Sequence, residues 1–430
     1  MLPVAALVVA SMVGTGVFTS LGFQVGDIPS GPALMLLWAL GGLLALCGAL
    51  SYAEIGSALP KSGGEYHFLS VLFHPSLGWM AGLLSAVIGF AAPTALAALP
   101  LGVYGHRAWE VLPAKAVSIA ALALVTLAHL CSLRSSAWFQ TVSTILKLVL
   151  IVGFIAASLF LPGHGDIRWS IDPSADLALV LQASFAVSLL YVFYAYSGWN
   201  AAVYILDEIE DVRKNLPRAL VLGTLVVTVL YLALNAAFLR AAPTGELAGK
   251  LEVGHVAAVS LFGEGAARWF SGVLAVGLLA TVSALVWAGP RVLQAMGRDI
   301  APLRWLARPN QGGVPARAIL FQSSLALGFI LIGDFKTLLE YTQIGLTVCS
   351  FLTVAGIFVL RRHPERAGAF RCPWYPLPPL VFLAMASFVV VRSLIAEPVP
   401  TLSGLATCLV AWMLYFPLKT LNVRPTKPSP

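Results

Sequence analysis

Apolar residues run along the chain in long blocks, separated by short stretches that hold most of its Lys, Arg, Pro and Gly residues. A helix of about 20 apolar residues is long enough to cross the hydrocarbon core of a bilayer. Twelve blocks meet this description, and we number them spans 1 to 12 in chain order: 2–24, 31–55, 76–104, 115–132, 136–161, 178–205, 218–240, 265–290, 315–333, 337–360, 376–395 and 401–418. The pattern predicts an all-α integral membrane protein with twelve transmembrane helices.

Composition agrees with a membrane protein and excludes a soluble one. Of the 430 residues, 59% are hydrophobic and only 10% are charged, whereas soluble domains carry about 25% charged residues. The net charge of +7 does not indicate nucleic-acid binding, because the basic residues lie in short loops between the spans. With the N-terminus inside, most of the 26 Lys and Arg residues fall in the inner loops, as the positive-inside rule requires. We therefore predict a multi-pass protein of the cell membrane with both termini cytoplasmic.

The middle of span 1 reads Met12-Val-Gly-Thr-Gly-Val-Phe, which is unusual for a regular membrane helix. Glycine lets the backbone leave helical geometry without steric penalty. Polar backbone at bilayer depth is tolerated only where protein or a water-filled cavity satisfies it. The stretch predicts a helix in two halves with a small binding site at the break. The alternative is a small-residue face that packs on a neighbouring helix.

Span 6 holds a second such stretch at its centre, Tyr194-Ala-Tyr-Ser-Gly-Trp-Asn200. Interrupted helices at matching places in two halves of a chain are typical of transporters built from inverted repeats. This predicts a first five-helix repeat at 1–161, an inverted second repeat at 178–360, helices 11 and 12 at 376–418, and a cytoplasmic tail at 419–430. A packed Tyr/Gly helix interface is the alternative for span 6.

A broken helix exposes N–H groups on one side and carbonyl groups on the other, which favour anions and cations respectively. Gly14, Thr15 and Gly16 are therefore candidates for binding a carboxylate. The candidates for binding an ammonium group through carbonyl oxygens are Met12, Val13, Tyr194, Ala195 and Ser197. Trp199 and Asn200 are candidates for lining a side-chain pocket or gate. A zwitterionic amino acid fits both ends, although a small amine or a carboxylate alone would also fit.

Lys147 lies near the middle of span 5. A charge there costs at least about 2.5–3.5 kcal/mol and indicates a functional site, with snorkelling to the interface as the alternative. No Asp or Glu lies at comparable depth in the predicted spans. Lys147 must therefore lose its proton or contact carbonyls, hydroxyls or water. We predict that its ammonium group lies at the span 1 break, where a sodium ion would lie in a related transporter, with Thr281 or Ser283 of span 8 as hydroxyl partners and a role in coupling.

Several motifs together resemble the amino acid–polyamine–organocation permeases. Gly14-Thr-Gly-Val-Phe is similar to that family's Gly-Ser-Gly-Ile-Phe signature, and the loop Leu59-Pro-Lys-Ser-Gly-Gly-Glu-Tyr to the one after its span 2. The segments that begin at Ala195 and Asp207 are similar to those of L-type amino acid transporters and bacterial serine/threonine exchangers, and the segment that begins at Pro290 resembles the permease family's loop between spans 8 and 9. The resemblance covers nearly the whole chain. It implies a LeuT-like 5+5 fold and α-amino acid transport, and sodium-independent members also have a Lys at the position of Lys147.

These observations predict a secondary transporter of neutral L-amino acids, working by exchange or by proton-coupled uptake. The alternative is a transporter of polyamines or cationic amines with the same fold, which would favour a carboxylate in the cavity. An intramembrane enzyme would need clustered His, Asp or Glu within the spans, and we predict no enzymatic activity, no cofactor and no metal. Neither the coupling mode nor an accessory subunit follows from the sequence.

Overall fold

The computed structural model describes residues 1–110, 112–131, 136–299, 301–308, 310, 314–363, 365 and 368–420. Within these residues the regular structure is helical, and an isolated bridge between Ser30 and Arg168 is its only β-type pairing. The loop residue Arg134 and most of the predicted tail, 421–430, lie outside the described residues.

Each predicted span corresponds to one helix or to two or three consecutive helical segments. In chain order these are Leu2–Met12 with Gly16–Thr19 and a 3₁₀ turn Ser20–Phe23 (span 1), Gly31–Ala58 (2), Pro75–Leu84 with a π-helical stretch Ser85–Ala91 and Ala92–Trp109 (3), Ala114–Cys131 (4), Ser136–Phe160 (5), Ala183–Tyr196 with a 3₁₀ stretch Ala201–Glu208 (6), Val212–Ala241 (7), Val253–Asp299 (8), Ala316–Ile332 (9), Phe335–Leu360 (10), Leu377–Ala396 (11) and Pro398–Met413 (12). Short helices lie between them at Gly64–Leu72, Pro173–Val180, Thr244–Leu247 and Arg304–Ala307, and a further short helix, Tyr415–Thr420, follows span 12.

Ten of these helices, counted within the described residues, are long and apolar enough to cross a membrane. The two apolar helices that are shorter are Ala114–Leu130 in span 4 and Ala316–Ile332 in span 9. The all-α membrane architecture is therefore confirmed, while the count of twelve transmembrane helices stays a prediction. The division into two inverted repeats also stays a prediction.

The outer faces of the bundle are apolar, as lipid contact requires. Val149 and Leu159 of span 5 and Ile395 of span 11 are each more than 60% exposed. In water such a surface would be costly, whereas lipid tails are as apolar as these side chains. The chain is a multi-pass membrane protein.

Spans 1 and 6 lie inside the bundle, where they can hold a site away from lipid. Span 6 is buried continuously from Ser188 to Tyr196, and Val13 and Val17 of span 1 are fully buried. Around them, spans 3 and 8 and spans 2 and 7 form the most extensive helix pairs. The structure therefore positions the two glycine-containing stretches at the centre of the helix packing.

Candidate functional site at two interrupted helices

Span 1 is broken where the sequence predicts. Its first half ends at Met12, and Val13 leaves helical geometry with φ −74° and ψ 77°. The Gly14 N–H turns back to donate to the Met12 carbonyl (2.7 Å). Helical structure resumes at Gly16. The first N–H groups of a helix have no intrahelical partner, so the second half presents free donors at this depth.

Span 6 is broken as well. Its first half ends at Tyr196, Ser197 is extended with ψ 152°, and Gly198 has φ +95°. Only glycine takes this positive φ without steric cost. The chain then continues as the 3₁₀ stretch Ala201–Glu208, which we call the second half of span 6.

The two breaks pack directly on each other through their glycines. A Cβ atom on Gly16 would lie 2.4 Å from the Ala195 Cα, and one on Gly198 would lie 2.6 Å from the Ser11 carbonyl oxygen. The Thr15 hydroxyl lies 3.2 Å from the Tyr194 hydroxyl. Each break therefore needs a glycine for the close approach of the other, so these glycines serve helix packing as well as the interruption of the helices.

Carbonyl groups freed by the breaks are satisfied by side chains from other spans. The Tyr231 hydroxyl of span 7 donates to the Met12 carbonyl (2.6 Å) and lies 3.1 Å from the Ala195 carbonyl. The Lys147 ammonium donates to the Val13 carbonyl (2.7 Å). Sequence reasoning missed Tyr231, because a tyrosine in an apolar span gives no signal of the backbone it reaches.

Lys147 joins three spans at the span 1 break. Besides Val13 it donates to the Thr281 hydroxyl of span 8 (3.1 Å), and its side chain is 2% exposed. The aliphatic part packs on Gly277, where a Cβ would lie 2.4 Å from the Lys147 Cγ. Among the described residues Lys147 makes no ion pair.

Ser283, the other candidate hydroxyl in span 8, points elsewhere. It lies 2.9 Å from His129 Nε2 of span 4. The hydroxyl that contacts Lys147 is therefore that of Thr281, because residues two positions apart on a helix face different neighbours.

A cavity of about 1420 Å³ begins beside the breaks. Four predicted site residues line it: Lys147, Ser197, Trp199 and Asn200. Six others are buried and do not line it: Met12, Val13, Thr15, Gly16, Tyr194 and Ala195, while Gly14 is half-buried beside them. At its far end the cavity is lined by Asp207, Glu208 and Arg298, whose side chains are exposed.

The opposite end of spans 1, 6 and 10 is closed by aromatic packing. Phe23 stacks on Phe335 with 6.0 Å between ring centroids, and its ring is 5.6 Å from that of Tyr191. The Tyr191 hydroxyl donates to Glu340 (2.6 Å). The large cavity therefore reaches one side of the bundle, and a packed cluster lies on the other side.

Glu65 is a cavity-lining residue that the sequence analysis did not select. It lies on the short helix Gly64–Leu72, between spans 2 and 3, and is 3% exposed. Its carboxylate accepts a hydrogen bond from Asn200 (3.2 Å). A loop position gave no indication that the side chain folds back under the span 6 break.

Two interrupted helices that meet inside a membrane bundle, with a cavity running from them to one side, define a secondary membrane transporter of the interrupted-helix class. The comparison with known families gives the particular assignment. The amino acid permease family matches residues 1–416, and the chain belongs to that family.

Individual relatives are similar over most of their length. The mouse Asc-type amino acid transporter 1 is 28% identical over 432 residues, covering 95% of this chain and 79% of the relative. The serine/threonine exchanger SteT of Bacillus subtilis is 27% identical over 422 residues, covering 96% of this chain and 94% of the relative. The mouse b(0,+)-type amino acid transporter 1 is 25% identical over 404 residues, covering 91% of this chain and 81% of the relative.

Proposed function

We propose that this chain exchanges neutral L-amino acids across the cell membrane without sodium, with both termini in the cytoplasm. Its family is that of amino acid permeases, and a relative similar over nearly its whole length is named a serine/threonine exchanger. In this orientation the large cavity opens toward the cytoplasm, since Asp207, Glu208 and Arg298 lie at its mouth. We assign no enzymatic step and no cofactor to the protein.

We assign substrate recognition to the two breaks. The substrate carboxylate would accept hydrogen bonds from the N–H groups that open the second half of span 1, with the Thr15 hydroxyl as a further donor. The ammonium group would be held on the span 6 side, where Ser197 and Asn200 line the cavity. Because Gly16 contacts Ala195 in the present conformation, substrate binding requires the two breaks to move apart.

The observation that carries this proposal is the 2.7 Å hydrogen bond from the Lys147 ammonium to the Val13 carbonyl. A carbonyl and a hydroxyl oxygen around a single positive charge are the ligand types that a hard cation such as sodium takes. The ammonium group of Lys147 therefore supplies the positive charge that a coupling sodium ion would bring, and this charge is covalently attached to the chain. We infer that transport proceeds equally well when sodium is replaced by choline.

The direct test is counterflow in proteoliposomes that contain the purified protein. Vesicles preloaded with unlabelled L-serine, L-threonine or buffer alone are given labelled L-serine, in sodium or choline medium, with and without a pH gradient. We expect uptake only with internal amino acid, no sodium requirement, and label recovered as unchanged L-serine. Uptake into empty vesicles driven by an inward proton gradient would establish symport instead, and stronger competition by putrescine than by L-threonine would favour an amine transporter.

A Lys147→Gln variant tests the role of the buried charge. Glutamine keeps an N–H donor but is one bond shorter and brings no charge, so we expect exchange to fall at least about tenfold, which corresponds to about 1.4 kcal/mol. Lys115→Gln makes the same substitution on an exposed lysine that bonds the Leu331 carbonyl, and it should exchange at the wild-type rate. Unchanged exchange and an unchanged pH profile in Lys147→Gln would remove Lys147 from the mechanism.

A further inference from the structure

Glu65 is directed into the protein by the turn that precedes it. Gly63 and Gly64 have φ of +122° and +54°. Residues other than glycine rarely adopt these backbone conformations. A Cβ on Gly64 would lie 2.6 Å from the Tyr204 ring. Glu65 follows in the first helical turn and lines the large cavity.

The carboxyl group joins three spans to the loop helix. Oε1 accepts hydrogen bonds from Tyr52 of span 2 (2.6 Å), Asn200 at the span 6 break (3.2 Å) and Ser350 of span 10 (3.4 Å). Oε2 lies 3.3 Å from the hydroxyl of Tyr204, in the second half of span 6. Loss of this group would leave Asn200 and Tyr204 without their common partner.

The partners of Glu65 are neutral. Among the described residues it makes no ion pair. The titratable groups that face it from spans 2, 6 and 10 are Tyr52, Tyr204 and Cys349, and its own helix adds Tyr66 and His67. The other charged groups that line the same cavity are Lys147, Asp207, Glu208, Arg291 and Arg298. A buried carboxylate without a cation is costly and favours its neutral form.

Burial raises the pKa of Glu65 above that of a free glutamate, and this effect outweighs the hydrogen bonds from Tyr52, Tyr204, Ser350 and Asn200, which lower the pKa. All four bonds are drawn with the carboxyl group as acceptor. In the neutral acid, Oε1 with its three donors would serve as the carbonyl oxygen, and the contact with Tyr204 would reverse, so that the Oε2 hydroxyl donates to the Tyr204 oxygen.

We propose that Glu65 is a positioning residue for transport: as a neutral acid it fastens Asn200 and Tyr204 to spans 2 and 10, and ionisation releases the second half of span 6. The direction follows from linkage, because a group binds its proton more tightly in the conformation where its pKa is higher. Protonation therefore stabilises the buried arrangement seen here. As pH rises through that pKa, an arrangement with Glu65 in contact with water becomes favourable.

Hydrogen exchange of the purified full-length protein tests the proposal without relying on transport. Protection of amides 201–208, corrected for intrinsic exchange rates, is measured between about pH 5 and 8. We expect wild-type protection to decrease as pH rises. Glu65→Gln, which resembles the neutral acid, should stay protected across the range, and Glu65→Ala should be unprotected throughout. Glu246→Gln, on the separate short helix Thr244–Leu247, should follow the wild-type profile.

Two results would overturn the proposal. Glu65→Gln behaving like Glu65→Ala would mean that the charge, rather than the neutral acid, fastens span 6. If the protection of amides 201–208 in the wild type does not change with pH, Glu65 does not titrate in this pH range. This wild-type measurement tests the proposal even if Glu65→Gln does not fold.

The transport consequence rests on the proposed exchange function. In counterflow, we expect the pH dependence seen on the cytoplasmic side of the wild type to be lost in Glu65→Gln and kept in Glu65→Asp. If the wild type exchanges no amino acid at all, the proposed function fails, while hydrogen exchange still decides the role of Glu65.

Discussion

Gly16→Ala is the substitution that most directly tests the contact between the two breaks. The added methyl group would lie 2.4 Å from the Ala195 Cα, 2.7 Å from its Cβ and 3.0 Å from its nitrogen. Two of these three atoms are backbone, so a rotamer change cannot relieve the overlap. The span 1 and span 6 breaks must separate, or both helices must shift.

Overpacking of this kind costs about 1–3 kcal/mol. At about 1.4 kcal/mol for each factor of ten, the equilibrium should shift roughly 5- to 150-fold away from the conformation in which the breaks touch. An exchanger must pass through that conformation in every cycle if it belongs to the transport pathway. We therefore expect both a lower unfolding temperature and slower counterflow for Gly16→Ala.

Gly14→Ala is the matched control for packing. Its added methyl group would meet only the Met12 carbonyl oxygen and the Thr281 Cγ2, both at 3.9 Å, which is ordinary van der Waals contact. Thermal unfolding of the two purified variants in the same detergent gives the comparison. Gly16→Ala unfolding at the same temperature as Gly14→Ala would refute the contact between the breaks.

Two further predictions concern other contacts in the structure. Gly277→Ala places a methyl group 2.4 Å from the Lys147 Cγ, so we expect slower counterflow than in Gly153→Ala, whose methyl group meets nothing within 4 Å; equal rates would contradict the packing of Lys147 on span 8. Arg361→Gln removes both 2.8 Å hydrogen bonds to the buried Glu54 and should destabilise the protein by about 3–5 kcal/mol. Adding Glu54→Gln should restore part of the unfolding temperature, and a further decrease would contradict the unpaired-charge explanation.

The helix breaks were predictable because they follow from local chemistry. Glycines on either side of Thr15, and a polar and aromatic centre in span 6, are visible without any neighbour. Depth in a span is also a local property, so Lys147 could be recognised as a buried charge without a carboxylate partner, whereas its placement at the span 1 break rested on analogy with the sodium site of related transporters. The same reasoning could not choose between Thr281 and Ser283, because the choice depends on how span 8 is rotated.

Long-range contacts account for what the sequence did not reveal. Glu65 contacts Asn200, which is 135 positions away, and Tyr231 contacts Met12 at a separation of 219. A polar side chain in a loop or an apolar helix has no periodicity that identifies such a partner. Six of the predicted site residues are also buried away from the cavity lining, since the sequence could not indicate how closely the two breaks approach.

The buried charge and the opened backbone stabilise each other, which explains how both exist at the centre of this bundle. A helix ending at Met12 leaves carbonyl groups at a negative dipole end, and the ammonium group of Lys147 lies against one of them. The lysine in turn needs no carboxylate, because the Val13 carbonyl and the Thr281 hydroxyl accept its hydrogen bonds. Separation of the breaks during transport would disturb this pairing. With the substrate bound at span 1 as proposed, the environment of Lys147 would change together with substrate binding, and we propose that these shared contacts couple the two without an ion from solution.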